Sequence, residues 1–123
     1  MLKEKIVEYE GPDGPISVTV VRATVLIGAE RSVARVEARD LIAENPDMSH
    51  ALRILRGVTY PDLIVCTSQA EGITWPLSFE DFLLLDERFV DLWWEAVKEV
   101  NGHWYDRPSV EETRKKATTS TEE

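Results

Sequence analysis

The chain has 123 residues, 43% hydrophobic, and its 14 Lys and Arg against 23 Asp and Glu give a formal charge of −9. Leu, Ile, Val and Phe make up 34 of the 123, enough for a core and too many for a disordered chain. The acidic balance argues against duplex nucleic acid and anionic membrane as partners; the single Cys66 leaves no internal disulfide and fits a reducing cytoplasm; no apolar run approaches the ~20 residues of a membrane span.

Lys5–Glu10 and Ile16–Val21 flank a five-residue connector, Gly11-Pro12-Asp13-Gly14-Pro15. Ile16, Val18 and Val20 alternate with Ser17 and Thr19, which reads as the second arm of a β-hairpin. A lone hairpin is marginal in water, so this one is expected to lie on helices or pair with another edge.

From residue 23 the period turns helical. Leu26, Ile27, Ala29, Val33, Val36, Leu41 and Ile42 recur at helical spacing up to Asn45-Pro46, while Arg31, Arg35 and Arg39 stand four apart on another face. This predicts a helix over 23–44. A second helix is expected from Asp47, taken as N-cap, until Tyr60-Pro61-Asp62 breaks it. Pro61 suits the first turn of a third helix running through Leu63–Gln69 to an end near Gly72. Ser78 with Asp81 resembles a capping box and opens a short helix over Phe79 and Phe82. Asp86 then caps the longest apolar stripe, with Phe89, Trp93, Ala96 and Val100 on one line, and Asn101-Gly102 is expected to end it through a left-handed backbone. The fold class is α+β: an N-terminal β-hairpin packed on a small bundle of four to five helices. Residues 1–106 form one globular domain, and the polar, threonine-rich stretch 107–123 reads as a disordered tail.

Residues 22–56 carry six arginines and five acids, whereas residues 80–99 carry seven acids and two bases. A basic first helix facing an acidic last helix is one economical arrangement. The Arg31/Arg35/Arg39 ladder is interleaved with Glu30, Glu37 and Asp40, so a solvated or internally paired face is expected there rather than an RNA-binding one.

Catalytic signatures are weak. His50 and His103 are the only histidines and lack metal-ligand spacing, and Cys66 sits between Val65 and Thr67 as a small core residue would. Glu80-Asp81 and Asp86-Glu87 lie at helix starts, where carboxylates stabilise the macrodipole. The prolines of Gly11–Pro15 remove N–H donors that a phosphate cradle needs. No catalytic, metal or cofactor residue is assigned, and no cofactor is expected.

Trp93, Trp94 and Trp104 are the unusual feature. Trp94 falls in line with Val90 and Val97, about 100° from the Trp93 stripe, so the apolar arc is broader than one core contact requires. Two explanations stand: a helix buried on two sides, or a partner-binding surface formed by Val90, Trp94, Val97 and Trp104.

At these residues a family resemblance emerges. The run Leu85–Trp104, with its Trp93, Ala96-Val97 and Asn101-Gly102-His103-Trp104, resembles the C-terminal segment of small tail assembly chaperones of long-tailed bacteriophages and prophages. Thr59–Asp62, Glu71–Phe82 and Val21–Val25 are similar to the same family, so the likeness spans about residues 16–104. Asp86 and Gly102 stand where the family usually has proline, Lys98 replaces a frequent tyrosine, and Trp94 is additional. The resemblance implies a non-catalytic protein of the bacterial host cytoplasm that binds the tape measure protein, with the tail tube protein as a second candidate partner, and keeps the tape measure soluble during tube assembly. A small acidic adaptor or antitoxin-like module of unrelated function is the alternative, and an enzyme working through carboxylates alone is the third choice.

Overall fold

The computed structural model describes residues 3–105; the expected tail over 107–123 and the last residue of the expected domain lie outside the described residues. The architecture is α+β, a three-stranded antiparallel sheet covered on one face by helices.

Strands β1 (Glu4–Gly11) and β2 (Gly14–Val21) pair from Glu4↔Val21 to Gly11↔Gly14. The hairpin is therefore tighter than the sequence suggests. Only Pro12 and Asp13 lie outside the ladder, and Gly14 takes φ +123°, which a side chain would disfavour. Alternation puts Val7, Val18 and Val20 on the covered face, with Tyr9 and Ile16 half-buried beside them.

Helix α1 (Val25–Ala43) is capped by Thr24, whose Oγ1 accepts from the Ile27 amide. Ser49, not Asp47, caps α2 (His50–Ile54) by accepting from the Leu52 amide. Tyr60-Pro61-Asp62 does not break the chain's helical path. Instead a π turn over Leu55–Thr59 leads directly into α3 (Tyr60–Val65), with the Tyr60 amide bonded to the Leu55 carbonyl. A proline inside a helix lacks an N–H and crowds the carbonyl four residues back, and the widened turn before Pro61 accommodates it.

The expected third helix to Gln69 is corrected too. Helix α3 stops at Val65, and Thr67–Glu71 is a strand, β3, antiparallel to β2 with a register shift between Thr19 and Val20. Cys66 turns the corner, and its carbonyl accepts from the Val21 amide at 2.8 Å. The hairpin thus gains both a third strand and a helical cover.

Ser78 caps α4 (Phe79–Phe82) and Asp86 caps α5 (Glu87–Val100), each through a side-chain oxygen on a first-turn amide. Phe89, Trp93, Ala96, Val97 and Val100 of α5 are fully buried in the core with Val18, Val20, Leu63 and Cys66. The Trp93 indole donates to Thr67 Oγ1 at 3.0 Å, and that hydroxyl donates to the Leu63 carbonyl, so the buried polar edge of the tryptophan is satisfied.

Helix α5 does not end through a left-handed residue. Asn101 has φ −119°, and a 3-10 turn follows over Gly102–Trp104. The fully buried Asn101 side chain accepts from the Ala23 amide at 2.7 Å and donates to the Val21 carbonyl at 3.0 Å. It ties the exit of α5 to the strand-to-helix link before α1.

Candidate functional site

Helix α1 lies across the π turn and α3. Ile27, Arg31, Ala34, Arg35, Ala38 and Ile42 are the partly or fully buried side, one helical face at spacings of three, four and seven. The arginine ladder therefore points inward for two of its three members.

Their target is Asp62, a fully buried carboxylate on α3. Arg31 donates through Nε and Nη2 at 2.9 and 3.2 Å, and Arg35 through the same atoms at 3.0 and 2.6 Å. Tyr105 Oη adds a third donor at 2.7 Å. Burial alone pushes the Asp62 carboxyl up, but hydrogen bonds from Arg35, Arg31 and Tyr105 outweigh it and hold the group below its ordinary range. Burial and the bond to Asp62 push the Tyr105 phenol well above its usual range. An acid held in its charged form by five donor contacts has no proton to give at neutral pH, and those contacts tie α1 and Tyr105 to α3. The acid that the first helix finds is on α3 rather than on the acidic α5, which instead meets β1 through Lys5–Glu99 at 2.5 Å.

Turning the arginines inward turns the other face outward. Val25, Leu26, Ala29, Val33 and Val36 lie within about 100° of arc and are all exposed, Val25 at 93%, Leu26 at 67% and Val33 at 57%. An uninterrupted aliphatic stripe on solvent is a candidate interaction surface, unlike singly scattered surface hydrophobics.

The residues expected to bind a partner sit elsewhere. Val97 is corrected outright: it is fully buried in the core and has no surface to offer. Val90, Trp94 and Trp104 are half-buried and pack against the core. The Trp94 and Trp104 rings meet the Tyr105 ring edge-on, with centroids at 5.3 and 6.2 Å. Arg31 lies over Trp104, 4.4 Å from its centroid. These aromatics thus shield the Asp62 cluster, and the broad arc of α5 is filled by the sheet on one side and by this cluster on the other.

His50 is exposed at the start of α2, and His103 packs against the Trp104 ring. Among the described residues no three His, Cys, Asp or Glu side chains come together in a metal-binding group. The buried Cys66 thiol donates to the Asp62 carbonyl, and burial followed by the Asp62 charge pushes it up to about 12, so it is not a thiolate near neutrality. No helix among the described residues is long and apolar enough to cross a membrane. No protein-family model matches the chain, and no curated protein or solved structure is significantly similar to it.

Proposed function

We propose that this chain is a non-catalytic protein-binding chaperone of the phage tail assembly kind, acting in the host cytoplasm to cover apolar segments of a tape measure protein before the tail tube encloses them. The observation that carries the proposal is the exposed aliphatic stripe of α1, Val25 to Val36, on a helix whose Arg31 and Arg35 are bound inward to Asp62 of α3. Support for the tail-assembly part comes from the sequence likeness over about residues 16–104. A tape measure is long and helical, and a docked helix face is a direct way to keep its apolar surface out of water.

The test is co-expression with the longest downstream open reading frame, which in a tail gene cluster encodes the tape measure. Co-purification of that product, and its loss to the insoluble fraction when this chain is omitted, is the expected result. A product that is equally soluble alone and does not co-purify overturns the proposal.

A further inference from the structure

The outward face of α1 has a charge pattern as well as an apolar one. Read as a seam, Leu26, Ala29, Val33, Val36 and Asp40 follow the three-four spacing of a coiled-coil contact line. Along one edge run Glu30, Glu37 and Glu44, seven residues apart and all exposed; the other edge holds Ser32 and Arg39. The ladder's two other arginines are spent on Asp62, so the exposed face is strongly acidic on one edge.

Resting on the protein-binding proposal above, we infer that the occupant of this face is an amphipathic helix of another protein, bringing a row of Lys or Arg alongside its own apolar seam. The basic row meets the glutamate edge, and one of its cations meets Asp40 where the apolar seam ends. A second copy of this chain fits poorly. An antiparallel pair of α1 helices sets the glutamate edge against itself, and a parallel pair sets Asp40 against Asp40 in the seam. The chain's own last residues are no better, because Val110 and Ala117 are the only aliphatic side chains after Tyr105.

Two stapled helical peptides with the same leucine seam, one with a lysine row and one with a glutamate row, are titrated against the full chain by fluorescence anisotropy. The lysine peptide should bind about tenfold tighter or better, with affinity falling as salt rises. The triple variant Glu30→Lys/Glu37→Lys/Glu44→Lys should reverse the preference, and Val33→Asp should abolish binding of both. Equal binding of the two peptides, lost in Val33→Asp, overturns the charge assignment while leaving the docking face intact. Binding of neither overturns the inference, and the co-expression test above then decides the broader proposal separately. A wild-type dimer in sedimentation that Val33→Asp dissociates makes a second copy the occupant and overturns it as well.

Discussion

Arg35 Nη2 stands 2.6 Å from Asp62 Oδ2, and this contact decides which side of α1 meets solvent. With the aliphatic stripe turned inward, Asp62 would stay buried without a countercharge, at a cost of several kcal/mol. Asp62→Asn should therefore destabilise the chain by about 2–4 kcal/mol, below the full cost of an orphaned buried ion because Arg31 and Arg35 keep some access to water. A double-mutant cycle with Arg35→Met by urea denaturation should show coupling of about 1 kcal/mol or more. Additive effects would show that the two groups do not act together.

The same carboxylate makes stability depend on acid. Its folded pKa is lowered, so as pH falls the unfolded chain takes up the proton first. The contribution is complete above the ordinary carboxylate range of about 4 and is lost as pH falls through the folded value. The stability gap between wild type and Asp62→Asn should hold from pH 7 to 5 and shrink only below about pH 4. A gap that instead widens as pH falls from 7 to 5 would mean a raised folded pKa and an unpaired acid.

Two glycines should respond oppositely to alanine. Gly72 has φ +84°, and a Cβ there would stand 2.2 Å from the Pro15 carbonyl oxygen, so Gly72→Ala must displace the β2–β3 end of the sheet. A loss of about 2 kcal/mol or more is expected from strain and clash together. Gly28 lies within α1 with open space around its Cα, so Gly28→Ala should gain about 0.5–1 kcal/mol. Thermal melts of the two variants check both signs.

Adjacent tryptophans separate core from edge. Trp93→Ala removes a fully buried ring with its hydrogen bond to Thr67 and should cost about 3–5 kcal/mol. Trp94→Ala removes only a half-buried ring packed against Tyr105 and should cost about 1–2 kcal/mol while leaving partner binding in place. Loss of binding without loss of stability in Trp94→Ala would return the partner surface to α5.

Much of the fold is legible in the sequence because its signals are local. The β2 alternation, the Ser78 and Asp86 caps and the Phe89–Val100 stripe all appear where period and capping chemistry place them. What escapes is set by distant partners. Thr67–Glu71 has little strand character of its own and becomes a strand because the open edge of β2 is there to pair with. Asn101 reads as a helix stop, yet its amide is fixed by Ala23 and Val21, some 80 residues earlier in the chain. The orientation of α1 is the most consequential case. Its two faces are visible in the sequence, but which one turns inward depends on Asp62, a residue that looks like part of a helix-starting turn until its two arginines are placed around it.

Val33→Asp, with stability and partner retention read on the same variant, tests the outward-facing docking surface most directly. Val33 is 57% exposed, so the predicted result is a denaturation curve within about 0.5 kcal/mol of wild type together with loss of the co-expressed tape measure from the purified complex. A variant that unfolds would show that the stripe is buried against the body, and one that retains the partner at full yield would show that α1 does not carry it.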